Sequence, residues 1–124
     1  MSKVRLLLVD KNEETQKSVG EIVSTLGFDF DAAGTGPDAL KLIRDNDYAM
    51  IFIDTATPEG LPAIQRMRDE GIEIMTVGYS ANAGPEEASR CREFSVNQFL
   101  PQALDQEVLE KLLRRWITTE NWLD

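Results

Sequence analysis

The sequence contains no histidine, and this absence removes several kinds of site. Without an imidazole there is no histidine general base, no histidine ligand for zinc, no serine–histidine triad and no phosphohistidine. The single cysteine, Cys91, excludes an internal disulfide and is typical of a reducing compartment. The chain has no apolar run of membrane-spanning length and no signal-peptide pattern at its N-terminus. We therefore expect a cytoplasmic protein without membrane contact.

Positive charge is scarce too, because the chain has 13 lysine and arginine residues and 22 aspartate and glutamate residues. The formal net charge of −9 argues against direct contact with nucleic acid, whose phosphates are also negative. The hydrophobic content of 42% and the charged content of 28% are those of an ordinary globular protein. At 124 residues the chain is expected to form one domain, residues 1–124, around one core.

Five short apolar runs alternate with segments of helical periodicity. The predicted strands are Val4–Val9, Phe28–Ala33, Tyr48–Ile53, Ile72–Val77 and Val96–Leu100. The predicted helices are Glu14–Leu26, Pro37–Arg44, Leu61–Arg68, Pro85–Phe94 and about Asp105–Thr118. Because strands and helices alternate, we expect right-handed crossovers and a parallel sheet with helices on both faces. The first and third strands are almost wholly apolar and should be central, whereas the amphipathic second strand should be an edge.

Two of the predicted strands lead directly into an aspartate. Asp10 follows the first apolar run, and Asp54 follows the third, before the chain turns through a loop into Pro58. Open α/β sheets place their chemistry at these carboxyl ends, and two neighbouring carboxylates suit a cation or a phosphoryl group. A third acidic side chain at position 11 would complete a magnesium site, but that residue is Lys11.

The chain resembles the receiver domain of two-component response regulators across essentially all 124 residues. The matching segments are Leu7–Asp10, Gly27–Phe28, Ala32–Gly36, Ala39–Leu40, Ile53–Pro58 and Ser80–Glu87. The resemblance implies a flavodoxin-like receiver fold, which is an α/β domain with a five-stranded parallel sheet in the order 2-1-3-4-5 and helices on both faces. It also implies a signalling module and not an enzyme.

The chemistry of that family is transfer of a phosphoryl group from a phosphohistidine partner to the aspartate after the third strand, which is Asp54 here. The resemblance implies that Asp10 is the first of two acidic residues that help to hold Mg²⁺, and that Lys11 replaces the second. Gln102 replaces the lysine that pairs with the phosphoryl oxygens in the family. We therefore predict weak or absent Mg²⁺ binding, with no metal ligands and no catalytic residues.

Two further positions correspond to the family's conformational switch. A hydroxyl after the fourth strand hydrogen-bonds the phosphoryl oxygens in the family. Counting back from Gln102 selects Ser80 for this position, whereas extending the fourth strand selects Gly78, and we favour Ser80. Phe99 matches the aromatic switch position but has no hydroxyl group. Switching that is coupled to phosphorylation is therefore expected to be weakened.

Lys11 has two interpretations at this point. Its ammonium could take the metal's position and pair with Asp54, an interaction of several kcal/mol at about 4 Å and intermediate dielectric, before desolvation. Alternatively, it points into solvent, as most lysines do. In both cases one ligand of the expected magnesium site is missing.

The sequence leaves three functional hypotheses open. The first is an atypical receiver that acts as a protein-interaction module, with weak or absent Mg²⁺-dependent phosphorylation. The second is a working receiver that a partner histidine kinase phosphorylates on Asp54. The third is a flavodoxin-like protein that binds an anion or a nucleotide, although the segment Lys11–Glu14 is acidic and lacks a glycine-rich phosphate loop. Expected partners are a histidine kinase, a phosphotransfer protein, an output domain, or a second copy bound through helix 4, strand 5 and helix 5.

Overall fold

Strands and helices alternate along the part of the chain that the computed structural model describes, residues 4–81 and 84–117. The five strands in these residues are β1 (Arg5–Val9), β2 (Asp29–Ala33), β3 (Met50–Asp54), β4 (Met75–Tyr79) and β5 (Gln98–Leu100). The helices are α1 (Glu13–Thr25), α2 (Gly36–Asp45), α3 (Gly60–Asp69), α4 (Pro85–Glu93) and α5 (Gln106–Trp116). None of these helices is long and apolar enough to cross a membrane.

The strands form a parallel sheet in the order β2-β1-β3-β4-β5, which confirms the predicted fold class and strand order. β1 and β3 lie in the interior of the sheet, and β2 lies at an edge, as their apolar and amphipathic patterns predicted. The register places Val9 beside Ile53, and Asp54 beside Tyr79. The carboxyl ends of β1, β3 and β4 therefore meet at one edge of the sheet.

The core lies on both faces of the sheet, because successive strand residues point to opposite sides. Leu6 and Leu8 of β1 pack against α1 and α5 in one buried cluster, which we call the α1/α5 cluster. Leu7 and Val9 pack against α2, α3 and α4 in a second one, the α2/α3/α4 cluster. All four of these β1 side chains are fully buried. The sheet is thus covered on both faces, and its carboxyl edge is where polar strand ends can reach the surface.

The start of α1 is fixed beside the end of β1. The side chain of Asn12 accepts a hydrogen bond from the Thr15 N–H at 3.0 Å, which satisfies one of the unpaired donors at the helix N-terminus. The Gln16 side-chain amide donates to the Asp10 carbonyl oxygen at 2.6 Å. The loop that joins β1 to α1 is therefore tied down at both of its ends.

The main correction to the predicted elements concerns the fourth strand. The prediction was Ile72–Val77, but β4 is displaced towards the carboxyl end and runs Met75–Tyr79. The Ile72 N–H donates to the Met67 carbonyl oxygen at 3.1 Å, so it completes the turn after α3 instead of pairing with β3. A run of apolar residues predicts burial, and burial in that turn produces the same pattern as burial in a strand.

The fifth and second strands are shorter than predicted for the same reason. The Val96 N–H donates to the Cys91 carbonyl oxygen at 2.9 Å, and the Phe28 N–H donates to the Val23 carbonyl oxygen at 3.2 Å. Each of these residues closes the preceding helix before sheet pairing begins. The helix limits differ from the predicted ones by at most two residues, and α4 begins at Pro85 as predicted. The predicted end of the last helix at Thr118 lies outside the described residues.

Candidate functional site

A cleft of about 430 Å³ opens at the carboxyl edge of the sheet, beside α1. Its charged lining residues are Asp10, Glu14 and Asp54, and no lysine or arginine is among the described residues that line it. We call it the acidic cleft. Two further lining residues, Tyr79 and Ser80, come from the end of β4. The fold thus brings together the predicted site residues Asp10, Asp54 and Ser80.

Asp10 is buried, with 3% of its surface exposed. Its Oδ1 atom accepts a hydrogen bond from the Asn12 N–H at 2.9 Å, and its Oδ2 atom accepts one from the Tyr79 hydroxyl at 2.5 Å. Its own N–H donates to the Ala33 carbonyl oxygen at 2.9 Å. A carboxylate is tolerated in such an enclosed position only when its oxygens are satisfied. Both oxygens of Asp10 already have protein partners.

Tyr79 is the last residue of β4, and its ring belongs to the α1/α5 cluster, with 5% of its surface exposed. Burial raises the pKa of Tyr79 far above its usual value, and the hydrogen bond to Asp10 and the charges of Asp10 and Asp54 raise it further. The hydroxyl therefore stays protonated and donates. Sequence reasoning missed this residue because it ended the fourth strand at Val77. The sequence signal that could have identified Tyr79 is its position as an aromatic residue at the end of the fourth apolar segment.

Asp54 is the last residue of β3, one position beyond the predicted strand, and it is half-buried. Its Oδ1 atom accepts a hydrogen bond from the Ala56 N–H at 3.1 Å. Burial has the largest effect on Asp54 and raises its pKa above the ordinary value. The Ala56 hydrogen bond lowers the pKa, and so does the charge of Lys11. The negative charges of Asp10 and Glu87 raise the pKa. The net direction is upward. The surroundings of Asp54 therefore disfavour negative charge.

Glu87 is an acidic neighbour of Asp54 that sequence reasoning did not place at the site. It is half-buried in the first turn of α4 and forms an ion pair with Arg90 at 3.4 Å. The acidic first turn itself was expected, because carboxylates suit a helix N-terminus. Its effect on Asp54 depends on how α4 packs against the sheet, which a local pattern does not reveal.

The loop after Asp54 is held to β1 and to α2. The Thr57 hydroxyl donates to the Val9 carbonyl oxygen at 3.1 Å, and the bond is buried. The Gly36 N–H donates to the Pro58 carbonyl oxygen at 2.8 Å. Glu59, next along, has a left-handed backbone with φ of 56°. These contacts fix the shape of the loop that follows Asp54.

Lys11 is exposed beside the cleft and does not line it. No ion pair within 4.0 Å joins it to Asp10 or Asp54 in the described part of the chain. Its ammonium therefore does not occupy the metal's position as a close partner of Asp54, and the solvent-facing interpretation describes the structure better. Its charge still acts on Asp54 at longer range, where it lowers the pKa of that carboxyl against the larger effect of burial.

Gln102, which replaces the expected lysine, is exposed and lines a different groove. That groove is formed with α5 residues that include Lys111 and Arg115. The next two residues, Ala103 and Leu104, line the acidic cleft instead. The segment after β5 thus supplies the cleft with apolar side chains and no positive charge.

Of the two alternatives for the hydroxyl position, Ser80 lies in the acidic cleft and Gly78 does not. Ser80 follows β4, and its N–H donates to the Leu100 carbonyl oxygen at 3.1 Å. Gly78 lies within β4, where a Cβ atom would come within 2.9 Å of the Cys91 sulfur. Phe99 is half-buried against the α2/α3/α4 cluster. The switch roles of Ser80 and Phe99 stay predictions.

The family resemblance implies Mg²⁺ in the acidic cleft, and the side chains present do not fit this ion. Mg²⁺ demands oxygen ligands in near-octahedral geometry. Both oxygens of Asp10 already accept hydrogen bonds, and the residue after it is a lysine. Among the described residues, no group of three or more acidic or cysteine side chains is arranged to hold a metal. Asp10 therefore offers no carboxylate oxygen that is free of a hydrogen bond, and position 11 offers no second carboxylate for the ion.

Comparison with known proteins gives consistent matches. A family model described as "Response regulator receiver domain" matches residues 6–114. The sensor histidine kinase RcsC of Salmonella typhimurium is 29% identical over 110 residues, which are 87% of this chain and 12% of that protein. Two-component system protein A of Emericella nidulans is 24% identical over 119 residues, which are 92% of this chain and 17% of that protein. The chain thus spans less than a fifth of the length of these relatives.

Solved structures share the fold. Chemotaxis protein CheY4 of Vibrio cholerae has a TM-score of 0.84 at 18% identity, covering 94% of this chain and 100% of that chain. The Saccharomyces cerevisiae complex of the phosphotransfer protein Ypd1 with the receiver domain of Ssk1 gives a TM-score of 0.85 at 19% identity, covering 98% of this chain and 94% of that chain. At these identities the likeness concerns the fold alone.

Proposed function

The chain belongs to the response regulator receiver domain family, as its motifs predicted, and we propose that it is an atypical receiver. In this proposal the domain acts as a protein-interaction module in two-component signal transduction, and it is not an enzyme. Mg²⁺-dependent phosphorylation of Asp54 is weak or absent. The observation that carries the proposal is the acidic cleft, in which three carboxylates are accompanied by no basic side chain among the described lining residues.

The charge of the cleft opposes phosphorylation. A phosphoryl group on Asp54 would bring a charge of about −1.5 to −2 to this site. Two like unit charges about 4 Å apart repel by about 4 kcal/mol at an effective dielectric of 20. In a conventional receiver, Mg²⁺ and a lysine offset this repulsion. Here Lys11 is solvent-exposed, Gln102 lies in another groove, and Glu87 adds a further negative charge near Asp54.

The response to a phosphoryl group is also expected to be weak. Gln102 offers only neutral hydrogen bonds, which have roughly half the strength of charge-assisted ones. Phe99 has no hydroxyl with which to stabilise an inward position, and it packs against the α2/α3/α4 cluster. The face formed by α4, β5 and α5 should therefore differ little between the phosphorylated and unphosphorylated protein. A constitutive contact with a partner is therefore favoured.

The proposed partners are proteins of the same signalling class. They are a histidine kinase, a phosphotransfer protein or an output domain, with a second copy of the chain at the α4–β5–α5 face as a further option. The Ssk1 receiver domain, which shares the fold, was solved in complex with the phosphotransfer protein Ypd1. The net charge of −9 disfavours direct contact with nucleic acid. We place the domain in the cytoplasm on the basis of its single cysteine.

The second candidate function is that of a working receiver. It is favoured by the position of Asp54, which is half-buried at the carboxyl end of β3 and lines an open cleft. A partner histidine kinase would then phosphorylate Asp54 despite the altered pocket. Binding of an anion or nucleotide is disfavoured, because the same cleft is lined by three carboxylates.

Backbone amide NMR spectra distinguish the two candidates. They are recorded with Mg²⁺ before and after addition of beryllofluoride, which imitates a phosphoryl group on aspartate. The atypical receiver should show no widespread shifts in residues 80–110. Shifts across that region would establish a working switch and reject the proposal.

The control is Asp54→Asn, in which the acceptor carboxylate is replaced by an amide of nearly the same shape. A beryllofluoride-dependent shift that persists in Asp54→Asn does not arise from Asp54. Incubation with acetyl phosphate, followed by mass spectrometry, tests phosphorylation directly on the same two proteins. A phosphorylated product in the wild type that is lost in Asp54→Asn would favour the second candidate.

A further inference from the structure

Two buried tyrosines in this chain donate their hydroxyl groups to aspartates. Tyr79 donates to Asp10 in the acidic cleft, and Tyr48 donates to Asp31 at 2.7 Å. Tyr79 and Tyr48 are 5% and 6% exposed, so both rings are enclosed to the same degree. Only the first pair belongs to the acidic cleft, and its aspartate is the one that the family resemblance assigns to a cation site.

We infer that the Tyr79 hydroxyl, by holding Oδ2 of Asp10, is the group that keeps divalent cations out of the acidic cleft. This inference rests on the proposed function, because it gives a physical reason for the weak or absent Mg²⁺ binding proposed for the same cleft. It assigns the selectivity of the cleft to a residue of β4 as well as to Lys11. Tyr79 acts through Asp10 and is therefore a positioning residue.

Tyr79 is held in place by its backbone and by its ring. Its carbonyl oxygen accepts a hydrogen bond from the Thr55 N–H at 3.2 Å, and it pairs with Asp54 and Leu100 on the two neighbouring strands. Its ring packs in the α1/α5 cluster. The hydroxyl oxygen therefore cannot move away from Asp10 without disturbing the core.

A cation that binds Oδ2 of Asp10 competes with this hydroxyl for the same oxygen. The Asn12 N–H at the start of α1 donates to Oδ1, so both oxygens of Asp10 are already partly engaged. A displaced hydroxyl would remain buried without its acceptor, and an unsatisfied buried donor is unfavourable. From the usual size of that effect we expect the hydroxyl to weaken cation binding by about 10- to 100-fold.

Lys11 by itself does not account for exclusion of the ion. It is exposed and forms no ion pair within 4.0 Å with Asp10 or Asp54 in the described residues. Replacing Lys11 by aspartate adds a carboxylate but leaves Oδ2 of Asp10 hydrogen-bonded to the Tyr79 hydroxyl. Restoring a metal site should therefore require two changes, one at position 11 and one at position 79.

The test compares the wild type with Lys11→Asp, Tyr79→Phe and the double variant. Mg²⁺ affinity is measured by calorimetry, and Mn²⁺ is located by the paramagnetic broadening of amide signals. The double variant should bind Mg²⁺ about 10- to 100-fold more tightly than Lys11→Asp, with Mn²⁺ broadening centred on residues 10 and 54. Equal affinity of these two variants, or no binding by either, overturns the inference.

The matched control is Tyr48→Phe in the Lys11→Asp background. It makes the same chemical change at a buried tyrosine that donates to an aspartate outside the acidic cleft, so it should leave Mg²⁺ affinity unchanged. A gain equal to that of Tyr79→Phe would mean that general loosening of the fold, and not the hydroxyl at Asp10, controls binding. That result also overturns the inference.

A second measurement covers the case in which Tyr79→Phe fails to fold. The hydroxyl proton of Tyr79 in Lys11→Asp should give a slowly exchanging NMR signal that persists unshifted during titration with Mg²⁺. Its disappearance as Mg²⁺ binds would show that the hydroxyl is displaced easily, against the inference. The proposed function fails separately, if the unaltered protein is phosphorylated on Asp54 in a Mg²⁺-dependent way.

Discussion

Gly36 is the position at which the loop after Asp54 is most sensitive to a single added atom. A Cβ atom on Gly36 would lie 1.8 Å from the Glu59 carbonyl oxygen and 2.4 Å from its carbonyl carbon. Real Cβ atoms essentially never approach within 3.0 Å, so the Glu59 backbone would have to retreat by at least 1.2 Å. Glu59 has a left-handed φ of 56°, and the neighbouring Pro58 carbonyl accepts the Gly36 N–H. Gly36→Ala should therefore displace the loop that follows Asp54.

The size of the effect follows from the identity of the clashing atoms. Overpacking typically costs about 1–3 kcal/mol, and backbone atoms give way less readily than a flexible side chain. We expect Gly36→Ala to lower the free energy of unfolding by about 3 kcal/mol. For a domain of this size that corresponds to a melting temperature roughly 10–15 °C lower. Thermal and urea unfolding measure the loss, and amide NMR signals of residues 54–60 should shift.

The control for Gly36→Ala is Gly34→Ala in the same connection between β2 and α2. A Cβ on Gly34 would lie 3.7 Å from the Lys11 Cα atom, which is ordinary van der Waals contact. Its φ is not in the left-handed region, so alanine should leave stability unchanged or raise it by up to about 1 kcal/mol. If Gly36→Ala and Gly34→Ala melt within about 2 °C of each other, the steric argument is wrong.

Two further predictions concern Asp54 and Thr57. The folded state raises the pKa of Asp54, mainly through burial, so it binds that proton more tightly than the unfolded chain does, and stability falls as the pH rises through this pKa. Asp54→Asn should therefore have a higher free energy of unfolding than the wild type at neutral pH. Urea titrations should show that this difference becomes smaller at acidic pH, and a difference that does not depend on pH would contradict the argument. Thr57→Val removes the buried hydroxyl that donates to the Val9 carbonyl oxygen, and it should lower the free energy of unfolding by about 1 kcal/mol. The control Thr25→Val, at an exposed position, should change the free energy of unfolding by no more than about 0.5 kcal/mol. Equal losses in the two variants would refute the role of the Thr57 hydrogen bond.

Much of the fold was predictable because burial and periodicity are local properties of the chain. The apolar Val4–Val9 run predicted a central strand, and the alternating polar residues after Phe28 predicted an edge. Strand limits were less predictable. Ile72 lies in the turn after α3 and packs against the α2/α3/α4 cluster, and a hydrophobic pattern does not reveal its hydrogen bond to Met67.

The candidate site was predictable where a residue follows a strand directly. Asp10 and Asp54 both line the cleft, because parallel strands end at one edge of a sheet. Lys11 follows a strand as well, yet it is exposed and makes no close ion pair in the described residues. The direction of such a loop side chain depends on how the loop is tied down, here by the hydrogen bonds of Asn12 and Gln16.

The sequence by itself determined the α/β alternation, the covered sheet and the positions of two carboxylates at its edge, because each is written in residues that are close together in the chain. Tertiary structure alone decided what those carboxylates contact. The Tyr79 hydroxyl meets Asp10 across 69 positions of sequence, and the Thr57 hydroxyl meets Val9 across 48. Such contacts require the register of three neighbouring strands and the packing of a ring between two helices. Neither is a property of any single segment.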